Sequence, residues 1–164
     1  MPEDGPVLHL VCGKIAAGKS TLARRLADKP TTILIEEDRW LSALYPDEIT
    51  SIEDYVRCSR RLHGIMGDHV ATLLLSGVSV VLDFPANTAN IRRWMLGISR
   101  KAGVANHLHF LDAIDEVCKA RLKLRNESGS HAFAPSDADY DAITSYFEPP
   151  SPDEGFNISV HAQT

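Results

Sequence analysis

The sequence predicts an α/β domain, a parallel sheet with helices on both faces. Three observations carry that expectation. Apolar runs of strand length alternate with segments of helical period in the order βαβαβαβαβ. The octapeptide Gly13-Lys-Ile-Ala-Ala-Gly-Lys-Ser20 lies between the first apolar run and the first helical segment. Acidic residues follow the later runs at Asp38, Asp83 and Asp112, on the sheet edge where ligands of such folds bind.

Val7–Cys12 is a continuous apolar run, as a strand buried on both faces requires. Thr21–Ala27 reads as helix, and Thr32–Ile35 as a second strand closed by Glu36-Glu37-Asp38. Ser51-Ile-Glu-Asp54 resembles a capping box with Asp in place of Glu, and opens a long amphipathic helix ending near Gly77. Gly64 and Gly67 weaken that helix and suggest close packing. Val78–Phe84 is the strongest strand signal. A helix follows through Ile91, Trp94, Met95 and Ile98, and Gly103 stops it. His107–Leu111 reads as the fourth strand, Asp115–Arg125 as helix, Asn126–Asp139 as a mobile polar loop, and Tyr140–Phe147 as helix. Pro149-Pro-Ser-Pro152 breaks that helix, and Phe156–His161 supplies the last strand.

The 164 residues, 44% of them hydrophobic, suit one domain spanning 1–164. No apolar run reaches the roughly 18 residues of a membrane span, and the acidic start is unlike a targeting signal. Three scattered cysteines, Cys12, Cys58 and Cys118, fit a reducing cytoplasm. A net charge of −5 argues against a surface that grips long nucleic acid. The seven histidines have none of the usual metal-ligand spacings, and none is assigned to a metal.

The octapeptide fits GxxxxGK[ST] at every fixed position, which a random chain of this length does roughly once in a few hundred. Phosphate needs close N–H donors, which glycine permits and a helix N-terminus concentrates. Gly13, Lys14, Ile15, Ala16, Ala17, Gly18, Lys19, Ser20 and Thr21 therefore form the expected cradle for ATP or GTP, with ATP favoured because no guanine-selecting NKxD pattern appears. Lys19 reaches the β- and γ-phosphates and Ser20 ligates Mg²⁺. Ala16 stands where many small-molecule kinases carry glycine. The Lys14 side chain is read as solvated, with phosphate as the alternative.

Asp38 is the candidate base for an acceptor hydroxyl, the bland reading being a solvated turn. Asp83 follows the hydrophobic run Val78–Leu82 as a Walker-B-type aspartate does and is expected to hold Mg²⁺, directly or through water, the bland reading being an Asp that caps the next turn. Arg121 and Arg125 share one helix face beside the loop, placed to close over a phosphate. Asn87, Arg92 and Arg93 are candidate acceptor contacts, Arg39 is divided between orienting an anionic acceptor and bracing the loop, and Trp40 and Tyr45 are divided between pocket and core.

Together these features resemble the small P-loop kinases of the AAA_33 family, which includes the kinase domain of polynucleotide kinase, with zeta toxins and chloramphenicol phosphotransferase as relatives. Carrying the resemblance are Gly-x4-Gly-Lys-Ser-Thr21, Asp38, Val-Val-Leu-Asp83 with Asn87, and Arg121-x3-Arg125. It implies a sheet ordered 2-3-1-4-5, Asp38 as activator of the acceptor, and Arg121 and Arg125 on the ATP phosphates from a lid at about 121–139. Trp40–Asp47 and Pro149–Phe156 look most like a bacterial branch of the family. The chain is too short for the lid domain and sensor elements of ring-forming AAA+ motors. The expected function is ATP-dependent transfer to a hydroxyl of a small molecule or nucleotide. Alternatives are a polynucleotide 5′-hydroxyl kinase, a zeta-like toxin kinase, and a nucleotide-dependent binding switch. No residue pattern selects one acceptor or an oligomeric state.

Overall fold

A computed structural model describes residues 5–129 and 134–163. Strands β1 (Val7–Cys12), β2 (Thr32–Glu36), β3 (Ser79–Pro85), β4 (Ala105–Ala113) and β5 (Ile158–Gln163) form one sheet in the order β2-β3-β1-β4-β5. Every pairing is parallel. Helices α1 (Lys19–Ala27), α2 (Glu37–Leu44), α3 (Ile52–Leu75), α4 (Ala89–Ala102), α5 (Asp115–Ser128) and α6 (Asp137–Thr144) connect the strands. The expected α/β class and strand order are both found.

The period of two along each strand sorts the side chains. Leu8, Leu10 and Cys12 of β1, Val80, Leu82 and Phe84 of β3, and Leu108 of β4 enter the main core with α3 and α4. The alternate residues Val11 and Val81 meet Ala23 of α1 on the other face. Asp83, two residues beyond Val81, is thereby aimed at the start of α1. The same rule puts His9, His107, His109 and His161 in one row on that face. Burial, repulsion from His107 and the charge of Lys29 lower the His9 pKa to about 4. Burial and the neighbouring rings lower that of His109 to about 3.

Several elements depart from expectation. Helix α2 was not anticipated, because Glu36-Glu37-Asp38-Arg39 resembles the charged turn after a strand. Two acids in its first turn favour the helix dipole, and Leu41 anchors it in the core. Ser51 caps α3 by accepting from the Asp54 N–H. The Asp54 carboxylate returns to the N–H and hydroxyl of Thr50, one residue earlier than a capping box would place it. Close packing holds at Gly67, where a Cβ would lie 3.1 Å from Trp94 Nε1; Gly64 has no such neighbour within 4 Å. Helix α5 includes Asn126–Ser128, and α6 begins at Asp137 and ends at Thr144, so the connection is shorter than the expected loop Asn126–Asp139. Positions 130–133 of that loop lie outside the described residues.

Candidate active site

The cradle follows β1 directly. Gly18 is the N-cap of α1 with φ 105°, in the left-handed region that glycine enters at no steric cost, and has no side-chain cap. The first N–H groups of α1 therefore lack that competitor and suit an anion. Ala16 adopts φ 63°, a conformation an L-residue holds at a cost of about 1–2 kcal/mol. The Lys19 ammonium donates to the carbonyls of Gly13 (2.6 Å) and Lys14 (2.8 Å), which spans the loop. Burial lowers its pKa, while Asp83 is the largest influence raising it. A polyanion here would relieve that desolvation.

The Ser20 hydroxyl donates to Asp83 Oδ2 at 2.7 Å. Burial raises the Asp83 pKa, against the Ser20 hydrogen bond and the charge of Lys19. Two adjacent oxygen donors, one a carboxylate, are the ligand set that a hard cation such as Mg²⁺ takes.

Asp38 lies in the first turn of α2. Its pKa is raised, by desolvation first and then by the charges of Glu37 and Asp83, with Lys19 and Arg125 opposing. Those partners bring Asp38, Lys19, Asp83 and Arg125 into a shared field. Arg125 is half-buried, and its Nε has no hydrogen-bond partner among the described residues. Desolvation lowers its pKa and the charge of Asp38 supports it. Arg121 reaches the cradle, donating from Nη1 to the Ala17 carbonyl at 3.2 Å.

Other expectations are corrected. Lys14 is not a solvated charge: it pairs with Asp115 at 2.9 Å, and Asp115 also accepts from the Tyr140 hydroxyl at 2.7 Å. The cradle is thus tied to the start of α5 and to α6. Asn87 does not present its amide to an acceptor. Its Oδ1 accepts from the Gly13 N–H at 3.0 Å, and its Nδ2 donates to the Gly13 carbonyl at 2.8 Å.

Arg92 is 1% exposed, and its donors go to Glu154 and to the carbonyls of Ala86 and Pro149. It braces the segment before β5 and is not offered to substrate. The signal was its phase, since Arg92 shares a helix face with Met95, Leu96 and Ser99 while Arg93 points out to Asn90. Arg92→Ala should cost about 2–3 kcal/mol, the pair being only partly screened at Glu154. Urea unfolding checks this, and nucleotide affinity should stay unchanged. Arg39 and Trp40 are exposed on α2, whereas Tyr45 packs against the core.

Sequence reasoning missed Glu37. It is 1% exposed and accepts hydrogen bonds from the Tyr55 hydroxyl, Ser59 Oγ (3.0 Å) and His63 Nε2 (2.8 Å). Burial and the Glu37 charge push the Tyr55 pKa well up, which keeps it a phenol donor. His63 stacks on Trp94, with ring centroids 4.4 Å apart. Three polar residues of α3 thus lock the first turn of α2, and with it Asp38. A shallow cleft of about 420 Å³ lies apart from the cradle, between α4 and the segment before β5, lined by residues that include Arg93, Glu148 and Phe156.

Known structures share this architecture. A candidate kinase from Chloroflexus aurantiacus is 22% identical, with a TM-score of 0.77 over 98% of this chain and 86% of the other. Kti12 from Chaetomium thermophilum, solved with ADP-AlF3, is 17% identical, with a TM-score of 0.69 over 94% and 88%. APS kinase CysC from Mycobacterium tuberculosis, solved with AMPPNP and APS, is 21% identical, with a TM-score of 0.61 over 96% and 88%. No curated protein matches the sequence. The AAA domain family AAA_33 matches residues 8–150, a span running from β1 through the cradle, Asp83, Arg121 and Arg125. With that match joined to the 2-3-1-4-5 sheet, this chain belongs to the AAA_33 family of P-loop domains.

Proposed function

We propose that the chain is an ATP-dependent kinase that transfers the γ-phosphoryl group to a hydroxyl of a small molecule or nucleotide. The observation that carries this reading is geometric: Asp38 lies in the first turn of α2, two residues after Glu36, which lies opposite Asp83 in the β2–β3 ladder, and Asp83 accepts from Ser20 of the cradle. A nucleotide-binding protein without an acceptor has no evident need for a carboxylate there.

In this mechanism the α1 N-terminus and Lys19 bind the phosphates. Ser20 and Asp83 would hold Mg²⁺, which when bound neutralises charge on the phosphate oxygens. Asp38 takes the proton of the acceptor hydroxyl as its oxygen bonds to the γ-phosphorus, while the bond from that phosphorus to the β,γ-bridging oxygen breaks and ADP leaves. Arg121 and Arg125 stabilise the transferring group from the α5 side. No helix of the described residues is long and apolar enough to cross a membrane, and three buried free cysteines support a cytoplasmic setting.

Lys19→Ala should weaken ATP binding roughly 10- to 100-fold, the worth of a charge-assisted hydrogen bond, as read by calorimetry. The reading itself is tested with γ-labelled ATP against pooled metabolites, nucleosides, sugar nucleotides and oligonucleotides. Label entering one pool, and lost in Asp38→Asn and Lys19→Ala, is the expected result. Label found only as free phosphate would replace the kinase with a nucleotide-hydrolysing switch.

A further inference from the structure

We propose that His9, His107 and His109 form a binding site for a divalent transition metal, with Zn²⁺ the first candidate. The site is separate from the cradle, on the α1 face of the sheet, and does not depend on the kinase reading.

Strand pairing creates it. In the parallel β1–β4 ladder His9 lies opposite His107, and Val11 opposite His109. The spacing His107-Leu-His109 puts two imidazoles on one face, and the register brings the third alongside. One nitrogen from each ring lies within 4.8 Å of the other two. Around tetrahedral Zn²⁺, nitrogens bound at about 2.0–2.1 Å stand about 3.3 Å from each other. His9 Nδ1 and His109 Nε2 are 3.3 Å apart.

The remaining nitrogens have partners on β5, while the His107 and His109 rings stack with centroids 4.1 Å apart, so binding one ion requires these rings to turn about χ2. His109 Nδ1 lies 3.3 Å from His161 Nε2, and His107 Nε2 lies 2.6 Å from Ser159 Oγ, both partners on β5. Those contacts leave His109 Nε2 and His107 Nδ1 for the metal, with the protons on the outer nitrogens. His9 and His109 are 7% and 5% exposed, whereas His107 is half-buried and gives access. Three imidazoles without a carboxylate select Zn²⁺, Ni²⁺ or Cu²⁺ over Mg²⁺. Lys29, whose charge reaches all three rings, opposes the bound ion.

The test uses the full chain, stripped with a chelator and titrated with Zn²⁺ by calorimetry in excess Mg²⁺, then with Co²⁺ as an optical probe. The expected result is one equivalent of Zn²⁺ that Mg²⁺ does not displace, and visible d–d bands for the Co²⁺ form. His107→Ala, at the most accessible ligand, should weaken binding about 100-fold or more, and His161→Gln roughly tenfold. Lys29→Ala should tighten it, and circular dichroism confirms folding for each variant. Absence of Zn²⁺ binding by the folded wild-type chain would overturn the site. So would binding unchanged in His107→Ala, or an intense near-ultraviolet thiolate band placing Co²⁺ on cysteine.

Discussion

The Asp38→Asn variant is expected to lose roughly 10²- to 10⁴-fold in kcat, the usual worth of a general base, while ATP affinity changes little. It should also be at least as stable as the wild type. Asp38 has a raised pKa in the fold, so the native state binds more protons than the unfolded chain between the two pKa values. Stability therefore falls as pH rises from the unfolded value through the folded one, and the penalty is complete only above the folded value. An amide removes that penalty. Transfer kinetics and urea unfolding at neutral pH check both halves. Undiminished transfer would remove Asp38 as the base. A large loss of stability would mean that Asp38 holds the fold together, contrary to its crowded carboxylate neighbours.

Glu37→Ala should do the reverse, with stability as the first casualty. It removes the acceptor shared by Tyr55, Ser59 and His63 within a buried cluster. Stranding such groups costs about 3–5 kcal/mol, a large share of the 5–15 kcal/mol available to a domain. Glu37→Gln keeps the volume and one carbonyl oxygen and should lose less. Because Glu37 and Asp38 are consecutive in α2, the Ala variant that remains folded should also transfer more slowly. Denaturation midpoints and kcat for the pair of variants separate the two effects.

The sheet and the cradle were legible because continuous apolar runs and GxxxxGKS are local patterns. Asp83 was legible because it ends such a run. Which acid of Glu36-Glu37-Asp38 turns inward was not legible, since it depends on the phase of a helix that the charges disguised. Arg92 and Arg93 raised the same problem, with adjacent identical residues on opposite faces. Lys14 found its partner Asp115 about a hundred positions away, and the histidine row depends on the register of three strands. Both are products of strand order. No window of sequence contains them.

Asn87 has a consequence for exchange with solvent. Pro85 lies opposite Val11 where the β1–β3 register shifts, and the Ala86 N–H continues to the Val11 carbonyl. The Asn87 side chain then meets both backbone groups of Gly13, so a carboxamide imitates the next peptide unit of a strand. The Gly13 amide should therefore keep its proton in deuterated water about as long as the β1 amides, while the neighbouring amides of the loop exchange early. Asn87→Ala should erase that difference. On that timescale, the last rung of the sheet is a side chain.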